Sequence, residues 1–463
     1  MISTPPTHVA IVGAGLAGLT LAISLHRQGI ACKIYELRQP TVATSGALML
    51  SPNALRILDT LGLYKRLYKQ GYNFETIDFK NHEQITTDTY YLGQEKLYSY
   101  KALRIYRQVL LTELRAEIKN LNIPITYGVK FGHIISEDDD GVSFAFADGT
   151  HATADILVGA DGIHSTVRKY IAPGIVPKYS GMVAITCALQ RNTLEYPSDI
   201  SAEDYPMPVA IHGKNGAFVM APQNIDGSEV LAGTQRAWPE QDRAGWDALL
   251  ADREGLLELF RQGYESWPKI VQSALDNVPL DTLAIWPYYV VPKLESWFSA
   301  DKRVIILGDA AHAIPPTAGQ VRPPPHVSLI LYIILTTTQG ASQGFEDAFT
   351  LAALLPHITS KLPLDQALTE WKDMRQQRID KVIKLTLQLN NARLPEAERE
   401  KLAAAGAPVW ESGDHGELAW LYNADVEGEV LAYVKAQTKS PRTCPVEWLV
   451  SKMSPTKPEG VEA

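Results

Sequence analysis

Residues 9–18 read Val9-Ala10-Ile11-Val12-Gly13-Ala14-Gly15-Leu16-Ala17-Gly18, an apolar run followed by three glycines at GxGxxG spacing. The pattern predicts a strand over 8–12, a glycine turn, and a helix carrying Leu19, Ala22, Ile23 and Leu25 at helical spacing. Gly29 closes that helix, and Ala31 to Tyr35 is a second strand ending at Glu36. A lone glycine pattern is weak, but within a strand, turn, helix, strand unit of about 30 residues it reads as a dinucleotide cradle. Gly13 permits the tight turn, Gly15 lets the backbone approach a pyrophosphate, and Gly18 allows close packing of helix on strand. The helix N-terminus offers amides and a positive dipole end to phosphates. Glu36 follows about 20 residues on, where a carboxylate accepts from ribose hydroxyls.

The rest of the chain is ordinary for a protein of two or three domains: 463 residues, 46% hydrophobic, 21% charged. A net charge of −9 argues against a nucleic-acid or anionic-membrane partner, because phosphate binding needs clustered Lys and Arg. Cys32, Cys187 and Cys444 are too scattered for a disulfide framework or a zinc site, so no metal is expected. A strand so near the start leaves no room for a signal peptide, and the longest apolar run, Val327 to Leu335, is well short of the roughly 20 residues that cross a membrane. A cytoplasmic monomer or homodimer acting on a small molecule is the expectation.

Two further stretches specify the dinucleotide. Ala154 to Arg168 reads ADILVGADGIHSTVR, and Arg303 to His312 reads RVIILGDAAH. With the glycine unit they resemble the FAD-dependent monooxygenases of the p-hydroxybenzoate and salicylate hydroxylase type, over residues 8–390. The resemblance implies an α/β fold: a Rossmann-like, discontinuous FAD-binding domain (1–73, 101–178 and 291–394) with an inserted mixed β-sheet substrate domain (74–100 and 179–290). A C-terminal helical region and tail occupy 395–463.

It also implies roles. Gly13, Gly15, Gly18, Glu36 and Arg38 surround the cofactor's adenosine and pyrophosphate, Arg107 reaches the phosphates, Asp161 lies beside the cofactor, and Asp309 accepts from ribityl or ribose hydroxyls. Pro316 and Gly319 lie against the flavin's reactive face. The stretch from Gly340 and Ala341 to Gly344 turns into a helix whose amides face the flavin pyrimidine edge. His312 is structural rather than a base. With no second GxGxxG in the chain, NADPH or NADH is expected as a transient electron donor. The implied reaction hydroxylates or epoxidises an aromatic or polyketide-like molecule with molecular oxygen through a flavin C4a-hydroperoxide. The candidate pocket residues are His212, Met220, Thr234, Arg236, Trp286, Tyr288 and Tyr289, with Arg236 polarising a phenol or binding a carboxylate and the tyrosines sharing its proton. A flavin reductase or oxidase is the nearest rival; a halogenase is disfavoured by the lack of WxWxIP.

Local patterning predicts strands within 74–100, 124–158 and 179–236, and helices over 103–114 and from Phe345 to Leu389. The packed segment Trp420-Leu421-Tyr422 is expected near the end.

One segment breaks the pattern. Residues 321–339 read VRPPPHVSLILYIILTTTQ, with no acid, one Arg, three consecutive prolines and an unbroken apolar run from Leu329 to Leu335. Surface loops are normally polar and rich in turn residues. Without it the chain reads AGQGASQGFEDAF, an uninterrupted motif of the family it resembles. Translated intron sequence is the simplest explanation: every Val codon begins with the donor dinucleotide, Gln339 is encodable as an acceptor, and a whole number of codons keeps the frame. A lid or membrane-touching loop is the alternative, and so is a flavoprotein impaired by the interruption.

Overall fold

Val9 to Val12 is apolar at every position, which suits a strand covered on both faces. In the computed structural model it is the central strand of a five-stranded parallel sheet, ordered Val304–Ile306, Ile156–Gly159, His8–Val12, Ala31–Glu36, Ile125–Tyr127. The structure describes residues 2–42, 46–214, 216–313, 330–391 and 418–439. The register decides the geometry of the site. Val12 pairs with Gly159, and Gly159 with Ile306, so the three motif strands end level at one edge. In a parallel sheet that carboxyl edge is where a dinucleotide is held.

A second, seven-stranded sheet is ordered Ala284–Val290, Lys178–Gln190, Glu229–Ala237, Gly216–Pro222, Val209–Gly213, Ile77–Lys80, Thr86–Tyr90. It is mixed because Val209–Gly213 pairs parallel with Ile77–Lys80, while its other pairs are antiparallel. Its back face, with Val183, Ile185, Val209, Ile211, Phe218 and Val230, packs on Leu256, Phe260, Trp267 and Val271. Most of these come from the helices Arg253–Arg261 and Lys269–Asp276. The front face carries smaller side chains; Ala210, Ala217 and Ala221 there pack with Met49, Ala102 and Tyr422. A three-stranded sheet of Ala47–Leu50, Ala102–Tyr106 and Tyr72–Phe74 stands between the two larger ones through these contacts.

Several elements differ from the sequence expectations. The helix expected over 103–114 is a strand, Ala102–Tyr106, followed by the helix Arg107–Asn120. Leu103 and Ile105 enter the main core while Ala102 packs on the other side, a period of two that the helical spacing beyond it masks. The helix expected from Phe345 already runs from Ile330 to Leu354, stops at the 3-10 turn Leu355–His357, and resumes as Leu364–Asn391. The helical layer behind the seven-stranded sheet was not expected; its helices of eight or nine residues follow the strands expected over 179–236, and segments so short give little helical periodicity to read. Trp420-Leu421-Tyr422 lies in the short helix Ala419–Tyr422, and the buried Tyr422 hydroxyl meets that of Tyr90 at 2.7 Å. Among the described residues no helix is long and apolar enough to cross a membrane, and no group of His, Cys, Asp or Glu could hold a metal.

Candidate active site

The glycine turn is built by contact with the second motif. Gly13 has φ +110°, its amide donates to Tyr35 O at 2.8 Å, and a side chain there would start 2.5 Å from Ala160 O. At Gly18 a side chain would start 2.0 Å from Gly13 O and 3.3 Å from Ala160 Cβ. Gly15 is different, since a Cβ there meets nothing within 4 Å. Gly15 is also the N-cap of the helix Leu16–Arg27, with no side chain capping it. Open space in front of an uncapped helix end is what a pyrophosphate requires, so the loop fits the dinucleotide.

Glu36 holds the turn from its far side, its Oε2 accepting from Ala14 N at 2.6 Å and its Oε1 from Arg38 N at 2.8 Å. Each carboxylate oxygen keeps a second lone pair for a ribose hydroxyl. The Arg38 side chain is exposed.

The second motif serves mainly as a clamp. Asp161 Oδ2 accepts from Thr166 N at 2.7 Å and Val167 N at 3.2 Å, and Ser165 Oγ accepts from Arg168 N at 2.8 Å. Both cap the helix Thr166–Ile171. The buried Arg168 guanidinium donates to Ala310 O at 2.9 Å and Ile163 O at 2.7 Å, which fastens the second motif to the third.

Asp309 opens the single-turn helix Asp309–His312 after Gly308, whose φ is +59°. Its side chain is exposed to the cleft and has no hydrogen-bond partner among the described residues. It is nonetheless ringed by protein: desolvation raises its carboxyl above the usual range, opposed by the charges of Arg107 and His312. Arg107, half-buried, begins its helix with its amide on Gly46 O at 3.0 Å. A carboxylate with no partner among the described residues, beside an arginine, suits hydroxyl and phosphate groups of the cofactor.

Ala17, Gly308 and Gly344 bring the first motif, the third motif and the long helix Ile330–Leu354 together: a Cβ at Gly308 would stand 3.3 Å from Ala17 Cβ and 3.7 Å from Gly344 Cα. The expectation for Gly340 and Ala341 is corrected here. They lie well inside that helix, so their amides are bonded within it rather than presented at an N-terminus. Pro316 and Gly319, with residues 321–329 of the anomalous segment, fall outside the described residues.

A buried polar network beneath the third motif was not foreseen. His312 Nε2 meets Asp347 Oδ2 at 2.5 Å, and the same oxygen accepts from Gly308 N at 2.9 Å. Arg375 donates to Asp347 Oδ1 (2.7 Å), Glu346 Oε2 (2.6 Å) and Gln343 Oε1 (2.7 Å). Arg378 and Asn53 complete Glu346. The His312 ring lies 5.0 Å from that of Trp297. His312 therefore positions the third motif and is not exposed as a base.

The substrate candidates divide between the two faces of the seven-stranded sheet. Met220 is in the back core, Thr234 Oγ1 donates to Ala217 O at 2.9 Å, and Arg236 donates to Gln262 O at 2.9 Å, just beyond a back-face helix. Tyr289 accepts from Trp246 Nε1 at 3.2 Å and stands 5.4 Å from the ring of Tyr179, with His164 at 5.9 Å. Trp286 is on the front, its Cζ2 3.8 Å from where a side chain at Gly46 would begin. Gln235 shares its row through Ala184, and Gln235 Nε2 donates to Tyr288 Oη at 2.9 Å. His212, beside Phe79 at 6.0 Å, is also on the front. The structure thus groups Trp286 and Tyr288 with Gln235, which sequence reading missed, and sets Arg236 apart from them. Strand parity could have shown this had the core face been known.

Comparison with known proteins agrees with this geometry. Residues 6–242 match the FAD binding domain family. Hispidin-3-hydroxylase of Neonothopanus nambi is 28% identical over 80% of this chain and 86% of its own length. The 3-amino-4-hydroxybenzoate 2-monooxygenase PtnB3 of Streptomyces platensis is 28% identical over 91% and 97%. The crystal structure of CtdE with FAD and substrate superposes with a TM-score of 0.70 at 20% identity, over 93% of this chain and 98% of that one. The three level motif strands, the uncapped helix end and these matches place the chain in the FAD binding domain family, among the FAD-dependent monooxygenases of the aromatic hydroxylase type.

Proposed function

We propose that this enzyme uses NADH or NADPH and molecular oxygen to hydroxylate or epoxidise a phenolic small molecule held between the front of the seven-stranded sheet and the flavin. The observation that carries the reading is that Arg107 lies beside Asp309 and bonds through its amide to Gly46, next to Trp286 of the Trp286–Gln235–Tyr288 surface, while Gly308 packs on Ala17 of the glycine turn. Residues 1–73, 101–178 and 291–394 would hold FAD, and 74–100 with 179–290 the substrate. When bound, the flavin supplies hydride acceptance and oxygen activation. The nicotinamide donor would visit transiently, since the chain has one glycine cradle. One relative is named for hydroxylating hispidin and another for 3-amino-4-hydroxybenzoate, both aromatic.

The chain's own groups suit a phenol. Desolvation pushes the Tyr288 hydroxyl up to about 12, so it stays neutral and keeps its proton while accepting from Gln235. It can then donate to a phenolate oxygen, and Gln235 Oε1, buried without a partner among the described residues, can accept from a phenol hydroxyl. The test uses the purified, FAD-loaded chain: flavin absorbance, oxygen uptake and NADH or NADPH oxidation with a panel of phenols. Oxidation stimulated by a phenol and coupled to hydroxylated product is expected, with Tyr288→Phe slowing it about tenfold or more. Oxidation indifferent to every phenol and yielding only peroxide would instead mark a reductase or oxidase.

A further inference from the structure

Arg378 joins the buried network beneath the third motif to the last described segment of the chain. Its Nε and Nη2 donate to the two oxygens of Glu346 at 2.5 and 2.8 Å, while Nη1 and Nη2 donate to Trp420 O and Leu421 O, both at 2.8 Å. Those carbonyls belong to the short helix Ala419–Tyr422, near whose C-terminal end a cation is favoured. Glu346 in turn meets Arg375 at 2.6 Å, Arg375 meets Asp347 at 2.7 Å, and Asp347 accepts from Gly308 N at 2.9 Å. A continuous chain of hydrogen bonds therefore runs from Trp420 and Leu421 to the glycine that precedes Asp309.

The same segment covers these charges. The helix Val426–Lys439 puts Val426, Val430 and Val434 into the main core at a spacing of four, one face of a helix. Tyr422 and Asn423 fix where the segment lands: the Tyr422 hydroxyl meets that of Tyr90 at 2.7 Å, and Asn423 donates to Leu97 O at 2.9 Å and accepts from Arg56 at 3.2 Å. Two hollows lie along the seam. One of about 50 Å³ separates Glu346 and Asn53 from Asp425 and Val426, and one of about 10 Å³ separates Arg375 and Arg378 from Val426 and Val430. Voids forfeit the dispersion contacts that hold solidly packed elements in place, so this helix is set to open more readily than the core beneath it.

We propose that residues 418–439 form a clasp that keeps the third motif in its flavin-binding arrangement, with Arg378 as the positioning residue that transmits the hold. Docking keeps water from Glu346 and Arg378, whose side chains are 0% and 9% exposed, and so strengthens the pull of each charge on the next. Undocking hydrates both, which slackens the anchor of Gly308 and with it the placing of Asp309. Flavin and clasp favour the same arrangement, so each tightens the other. The clasp acts on the flavin only through Asp309 facing it, as read above.

The first experiment is hydrogen exchange of the full chain with and without saturating FAD. Amides of 426–439 should exchange about tenfold more slowly with FAD, a slowing that exceeds that of the helix Lys269–Asp276 behind the substrate sheet. Equal slowing in both helices, or none at 426–439, would overturn the proposal, and this arm needs no variant. The second is titration of the flavin-free chain with FAD. Val430→Asp puts a carboxylate on the buried face of the clasp and leaves every member of the hydrogen-bonded chain in place; it should weaken FAD about tenfold. Arg378→Met should weaken FAD as much and remove the FAD-dependent slowing at 426–439, while Arg378→Lys restores part of each, since one ammonium cannot grip both Glu346 and two carbonyls. Asp309→Ala, titrated alongside, tells two failures apart. If it weakens FAD and Val430→Asp does not, the clasp alone is overturned; if neither does, the third motif is not at the flavin and both readings fall.

Discussion

Gly13, Gly15 and Gly18 belong to one motif, yet a side chain at each meets a different obstacle. At Gly18 the obstacle is the chain itself, 2.0 Å away at Gly13 O, so Gly18→Ala should destabilise the fold with or without flavin. At Gly15 there is no obstacle in the protein and φ is −78°, which any residue adopts. Gly15→Val should therefore still fold, at a cost of about 1 kcal/mol for exchanging a good N-cap residue for a poor one, and fail to retain FAD. Flavin-to-protein ratio and thermal unfolding measured together check this; full flavin occupancy in Gly15→Val would contradict the placing of the pyrophosphate. The turn geometry at the glycines and the strand end before Asp309 were legible in the sequence because each answers to a local rule. Arg236 and Tyr288 were not separable, because the face a strand residue takes depends on which side the rest of the chain covers, and the helices behind the sheet decide that.

The long helix Ile330–Leu354 shows the same limit at the scale of an element. Its polar stretch Gln343 to Asp347 reads as an ordinary helical surface, but Glu346 and Asp347 are fully buried because Leu364–Asn391 presents Arg375 and Arg378 to them. Partners some 30 residues apart cannot be assigned by local spacing, whose reach is about four residues. Burial pushes both carboxyls up, but His312 and Arg375 acting on Asp347, and Arg378 and Arg375 on Glu346, outweigh it and bring each down to about 2. Both folded values lie below the unfolded ones near 4, so this stability is present above about pH 4 and is lost as pH falls toward about 2, on the order of 2–3 kcal/mol for each group. Arg375→Met weakens this dependence: Glu346 keeps Arg378 and Asp347 keeps His312, but each loses one charge partner, at a cost of about 3–5 kcal/mol at neutral pH, and less of the remaining stability is lost as the pH falls. Denaturant unfolding between pH 7 and pH 3 should show the variant gaining on the unaltered chain with acid; parallel curves would mean the cations do not hold the carboxyls down.

At the scale of the molecule, the adjacency of three motifs separated by about 150 residues each was readable because parallel strands followed by glycine turns have one common use, and the level ends of Val12, Gly159 and Ile306 are its physical form. Segment 321–339 is where sequence and fold remain in tension. Its last residue, Gln339, is fully buried: Nε2 donates to Ser51 Oγ at 3.0 Å, and Oε1 accepts from Asn53 at 3.3 Å and Gln343 at 3.1 Å. The residue just before the segment is also a glutamine, Gln320. Deleting 321–339 joins Gln320 to Gly340, so a glutamine again precedes Gly340 and can remake the bonds to Ser51, Asn53 and Gln343. The deletion also removes the turns of helix ahead of Gly340, which frees the amides of Gly340 and Ala341 to become a helix N-terminus able to favour negative charge. It further discards the β-prone run Leu329 to Leu335, an aggregation hazard wherever it is exposed. The deletion variant should therefore keep its thermal stability, bind more flavin per chain, stay soluble at higher concentration and oxidise NADH or NADPH faster. Flavin content and turnover of the two chains, prepared side by side, decide the matter. If the shorter chain loses either one, Gln320 cannot replace Gln339 and the segment is a working lid that the enzyme needs.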